Sequence, residues 1–138
     1  MSQSIQELRQ TIEQYLNEGN VPFRDRGPRI SVRRGSSAVF IRPNLWAEQH
    51  TVVELLSPVL ADIDESPALL SRLNEINKGL YFGKAYWHDR GVWIAHNLLG
   101  DHVDRDELLA AVGVLGTVAD RLDDDLKSEF GGTRWIDS

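Results

Sequence analysis

Leu108, Val112, Leu115, Ala119, Leu122 and Leu126 recur at gaps of four and three. That period places them on one face of a helix and commits the C-terminal part of this chain to a long amphipathic helix. Asp104 stands before the run with Glu107 three residues on, the pattern of a capping box, and Gly131-Gly132 ends it. A helix of this length must bury its stripe on a broad surface. The preceding segment offers one. Leu80 to Trp87 and Val92 to Leu99 read as strands, joined by the hairpin signal His88-Asp89-Arg90-Gly91. Gly113, Gly116 and Ala110 sit at gaps of three on the same helix. Each interior glycine costs about 1 kcal/mol, which close packing against the sheet or another subunit would offset.

The rest of the chain extends this plan. Ser4 to Glu18 carries Ile5, Leu8, Ile12, Tyr15 and Leu16 on one helical stripe, closed by Gly19-Asn20 with Pro22 beyond. Arg29 to Arg33 and Ala38 to Arg42 are strands about a Gly35-Ser36-Ser37 turn, and Pro43-Asn44 should interrupt or end the second. Gln49 to Ile63 is read as a third strand because of its Thr-Val-Val run, with Pro58 at an edge or bulge. A helix from Glu48 to Leu56 is the competing reading. Ser66-Pro67 opens a helix that Gly79 stops. The expected fold class is α+β in the order α-β-β-β-α-β-β-α: a five-stranded, mainly antiparallel sheet covered by the first and last helices.

A chain of 138 residues fits one domain over 1–138. It has no cysteine, which excludes disulfides and thiolate metal sites. No apolar run reaches a membrane span, and MSQSIQELRQ lacks the pattern of a secretory signal, so the cytoplasm is the expected location. The net charge of -6 is unevenly spread. Between Val21 and Leu45 six arginines face Asp25 alone, a balance of +5; from Asp101 to Glu129 nine acids face three bases, a balance of -6. That asymmetry favours self-association or an oppositely charged partner.

Chemistry-bearing patterns are sparse. The four histidines, His50, His88, His96 and His102, lack the spacing of metal ligands, so no metal and no cofactor are expected. Asp101, Asp104 and Asp106 lack the central Gly and terminal Glu of a calcium loop and read as helix caps. Asp123-Asp124-Asp125 reads as a continuation of the solvent face of the last helix. No phosphate loop or nucleophile elbow occurs. The arginines from Arg24 to Arg42 lack the reading helix that nucleic-acid binding would want, in a protein acidic overall, so nucleic acid is not an expected partner. The aromatics stand out instead. On a strand from Leu80, Tyr81 and Trp87 would share one face, and Phe82 and Tyr86 the other. A hairpin aromatic on both sides invites a dimer mate or a bound peptide.

The order of elements, with Ser57-Pro58-Val59-Leu60, Leu73-Asn74-Glu75-Ile76-Asn77, the strand turning at Asp89-Arg90-Gly91, and Ala119-Asp120-Arg121-Leu122-Asp123, resembles the YbjN family and the CesT-like type III secretion chaperones. The resemblance implies a dimeric α+β protein that binds peptide or protein segments. Some members of that family are described as sensory-transduction regulators, and no catalytic residues carry over. The expected function is therefore non-enzymatic: a chaperone-like homodimer holding a protein or peptide client, with a regulatory role through a protein partner as the alternative. The expected contact residues are Trp46, Tyr86, Trp87 and Trp93, with Arg33 and Arg34 steering an acidic segment.

Overall fold

The computed structural model describes residues 4–137; the first three residues of the N-terminal segment read above lie outside the described residues. In chain order the elements are α1 (Ile5–Glu18), β1 (Arg24–Arg26), β2 (Arg29–Arg34), β3 (Ser37–Trp46), β4 (His50–Ala61), α2 (Pro67–Gly79), β5 (Lys84–His88), β6 (Gly91–Leu99), α3 (Arg105–Phe130), β7 (Thr133–Arg134) and a 3-10 turn (Trp135–Asp137). Side-chain caps set where the helices begin. Ser4 Oγ accepts from Glu7 N–H at 3.0 Å, Ser66 Oγ from Leu69 N–H at 3.1 Å, and Asp104 Oδ1 from Glu107 N–H at 2.7 Å. Each such cap is worth about 1 kcal/mol.

All strand pairs are antiparallel. The order across the sheet is β1-β2-β3-β4-β6-β5, and β7 pairs with the end of β4. The alternation of the strands divides the sheet into two faces. Ile30, Val32, Val39, Ile41, Val53, Leu55, Val92 and Ile94 are buried on one of them. There they meet Leu8, Ile12 and Leu16 of α1 and Leu108, Val112, Leu115, Ala119 and Leu126 of α3. At about 25 cal/mol per Å² of apolar surface removed from water, this single layer supplies most of the driving force for folding. Gly116 lets α3 close on the strands. A Cβ there would stand 2.6 Å from Arg34 Cγ and 3.2 Å from Val39 Cγ2. The glycine thus serves packing on the chain's own sheet. Among the described residues, no helix is long and apolar enough to cross a membrane.

Several expectations are confirmed and others corrected. The segment from His50 is a strand, not the competing helix, and Pro58 sits beside a shift of register between β4 and β6. Among the described residues the sheet has seven strands rather than five, because Arg24–Arg26 and Thr133–Arg134 also pair. Pro43 does not end β3, which continues to Trp46. Pairing with β2 stops at Ile41, so the proline's missing N–H faces an unpaired side. The strand expected from Leu80 begins only at Lys84. Gly83 turns the chain there at φ +87°, a conformation open to glycine. Tyr81 and Phe82 therefore lie outside the strand, and their expected sharing of faces with Trp87 and Tyr86 does not hold.

Asp123 departs furthest from its sequence reading. It is wholly buried rather than on the solvent face. Its carboxyl meets Ser36 Oγ, which also lies 2.5 Å from Asp120 Oδ1. One hydroxyl has one proton, so it cannot donate to both carboxyls. Burial pushes the Asp123 carboxyl up, and the Ser36 hydrogen bonds hold Asp120 down. While Asp123 carries its proton, a relay satisfies both contacts: Asp123 donates to Ser36, and Ser36 donates to the Asp120 carboxylate. A carboxyl whose folded pKa is raised stabilises the fold while protonated, and that contribution fades as pH rises through its folded value. Asp123→Asn keeps a donor for Ser36 without the titration. It should melt above the unsubstituted protein at about pH 7 and lose that advantage near about pH 4. Thermal melts across that range check this; a gap that widens toward acid would contradict the relay.

Candidate functional site

Among the described residues, both long helices lie on one side of the sheet and no α-helix covers the other face. Cross-strand register fixes what it displays. One row runs Arg24, Ser31, Phe40, Leu56, Ala95 and Lys84 across all six main strands. A neighbouring row brings Arg33 and Ala38, then Pro58, Trp93 and Tyr86, onto the same face. A third pairs Arg42 with Glu54 and Glu54 with Asn97. Arg26 and Arg29 face each other across β1 and β2 on this side. Phe40, Val52, Leu56, Tyr86, Trp93 and Ala95 are half-buried. They form an apolar strip flanked by Arg24, Arg26, Arg29, Arg33, Arg42 and Lys84, with Glu54 as the opposing acid. A cavity of about 200 Å³ opens in the strip, lined by Phe40, Leu56, Tyr86, Ala95, Arg29 and Arg42.

Local chemistry holds several of these groups in place. The Arg29 guanidinium lies 6.0 Å from the Phe40 ring centroid, within cation–π range. The Trp93 indole N–H donates to the His88 carbonyl at 3.2 Å. Desolvation raises the Tyr86 phenol, which stays a neutral donor. At the far end of β3, Trp46 stacks on His50 with ring centroids 5.4 Å apart. His50 is held in turn by Asp101, whose carboxylate lies 2.7 Å from Nδ1 and also accepts from the Thr51 N–H and hydroxyl. The His50 and Thr51 hydrogen bonds hold the Asp101 carboxyl well below the usual carboxylate range. The ionised acid therefore orients the imidazole under the tryptophan, which is 48% exposed.

The residues expected from the sequence divide between the faces. Trp46, Tyr86, Trp93 and Arg33 reach the helix-free face. Trp87 turns to the helix side, packs against the core and donates to the Ile63 carbonyl at 2.8 Å. Arg34 also turns that way, its stem lying over Gly116. The sequence reading did not single out Phe40 and Leu56. The signal for them was the strand alternation itself, which puts them in register with Ala95. Among the described residues, no three His, Asp or Glu side chains converge to hold a metal ion.

Comparison with known proteins places the chain in a family. The model of the family described as TY-Chap1, the T3SS (YopN, CesT) and YbjN peptide-binding chaperone 1, matches residues 6–138. The crystal structure of YbjN from E. coli superposes with a TM-score of 0.59 at 13% identity, over 88% of this chain and 93% of that one. At that identity the likeness speaks for the fold. No curated protein matches the sequence.

Proposed function

The chain belongs to the family of T3SS and YbjN peptide-binding chaperones, and on that premise we propose that it holds a protein or peptide segment against the helix-free face of its sheet, without chemical turnover. The observation that carries the reading is the composition of that face: an apolar, aromatic strip between cationic margins. Large half-exposed aromatics supply most of the energy at such surfaces. Charged margins choose the sign of the partner. The proposed contact residues are Trp46, Tyr86 and Trp93, with Arg33 at the margin. The proposed place of action is the cytoplasm.

The test is a peptide array probed with the purified protein, followed by affinities for the peptides it retains. Tyr86→Ala and Trp93→Ala should each weaken binding by about 1–3 kcal/mol, with circular dichroism unchanged. Peptides bound equally well by both variants would move the binding surface elsewhere. A homodimer belongs to the same proposal, supported by the opposite charge of the sheet face and the last helix. Light scattering of that preparation should then give twice the chain mass of 15.6 kDa; a monomer mass would remove the dimer and leave the binding surface standing.

A further inference from the structure

The basic corner of the helix-free face is built to one pattern. A cavity of about 390 Å³ is lined by Arg24, Arg26, Arg33, Phe23, Ser31 and Trp135. The three arginines make no ion pair among the described residues. The acid nearest to them in sequence is engaged elsewhere: Asp25 points to the helix side and pairs with Arg9 at 3.1 Å. Two of the cations are positioned by the chain. Arg26 Nε lies 3.5 Å from Ser31 Oγ, and the Arg33 guanidinium lies 5.7 Å from the Trp135 ring centroid. The Trp135 wall is itself tied down, because Ile136 N–H donates to the Ser36 carbonyl at 3.2 Å. Three exposed guanidiniums without an acid between them leave most of their hydrogen-bond donors free for an anion.

Strand geometry gives their spacing. Arg24 and Arg26 are two positions apart on β1, so they recur at about 6.6–6.8 Å along the strand. Arg33 stands two positions past Ser31, the partner of Arg24, and carries the line onward along β2. The cations therefore form a row, which suits a row of anions better than one compact group. An extended peptide repeats its side chains on one face at the same interval. Guanidinium forks match carboxylates in two parallel hydrogen bonds. The row also adjoins the apolar strip, since Ser31 of the cleft pairs with Phe40 of the strip.

We propose that the Arg24, Arg26 and Arg33 cleft selects client segments carrying acidic residues at every second position, seated extended along the row, with an adjoining apolar segment on the Phe40 and Leu56 strip. This rests on the peptide-holding reading above and specifies which segments are held. The net charge of -6 gives it a further consequence. Long-range attraction toward acidic peptides is weak, so discrimination comes at contact and depends on spacing.

The test is fluorescence anisotropy with the full chain and three dye-labelled peptides. One has glutamate at alternate positions followed by an apolar segment, one has the same composition with the glutamates in a block, and one has glutamine in their place. A short oligouridylate is the fourth probe. The alternating peptide should bind about tenfold more tightly than the glutamine peptide, and more tightly than the blocked one. Arg24→Gln with Arg26→Gln should abolish that preference and flatten its salt dependence, with the thermal melt unchanged. Arg33→Gln should act in the same direction, which guards against a double variant that fails to fold. Equal binding of all three peptides, still weakened by Tyr86→Ala, would overturn the cleft and leave the peptide-holding reading intact. No peptide binding at all would end both. Tighter, arginine-dependent binding of the oligouridylate would overturn the cleft's assignment in favour of single-stranded nucleic acid.

Discussion

Replacing Leu115 by alanine should lower the stability of the fold by about 2–5 kcal/mol, the range for a fully buried leucine whose site cannot collapse. Leu115 is 1% exposed and lies where α3 meets the sheet. Its Cδ1 would stand 3.2 Å from a Cβ on Gly83, so it also covers the glycine that precedes β5. The neighbours on both sides are strands or helix backbone, with little freedom to fill the void. Domains of this size are stable by about 5–15 kcal/mol, so the loss is a large fraction of the total. Urea denaturation should show a lower midpoint with an unchanged slope. A change below about 1 kcal/mol would mean that the α3 layer is more loosely packed than its burial indicates.

Asn77→Ala should have the next largest effect. β5 ends the sheet, and its free side faces α2 instead of another strand. The Asn77 side chain stands in for the missing strand. Its Oδ1 accepts from the Ala85 N–H at 2.7 Å, and its Nδ2 donates to the Ala85 carbonyl at 3.0 Å. Alanine removes both bonds, which should cost about 1–3 kcal/mol. It also uncovers a sheet edge on which a second chain could pair. The variant should therefore melt lower and scatter more light with rising concentration. Asn77→Asp should also fail, because a carboxylate oxygen would then face the Ala85 carbonyl. A fully stable, monodisperse Asn77→Ala protein would show that α2 shields this edge by bulk alone.

The helices were legible in the sequence because their signals are local. Ser4, Ser66-Pro67 and Asp104 are caps whose partners lie three residues away, and the apolar stripe of α3 has one period throughout. The strand from His50 was legible for a similar reason, since β-branched residues cluster in it. What escaped were features set by partners far along the chain. Arg24–Arg26 and Thr133–Arg134 are too short to announce themselves, and become strands only because β2 and the end of β4 are there to pair with. Asp123 reads as one of three acids in a row until the Gly35-Ser36 turn, some eighty-seven residues earlier, packs on it. The candidate site was half legible. Aromatic content marked the hairpin, but the register across β3, β4 and β6 decided that Tyr86 and Trp93 join Phe40 while Trp87 joins the core.

The position of β4 bears on how this molecule can loosen without coming apart. It is the longest strand, it lies between β3 and β6, and its end takes up β7 as well. Every pairing between the earlier strands and the later ones passes through it. Its central amides, with a paired strand on either side, should exchange with solvent only when the whole molecule opens. Those of β1 and β5 need only a rim to fray. Slow exchange should thus concentrate under Leu56, in the middle of the helix-free face, with faster exchange toward the margins. A surface with a rigid centre and a compliant border can accept segments of different bulk while keeping one fixed point of contact.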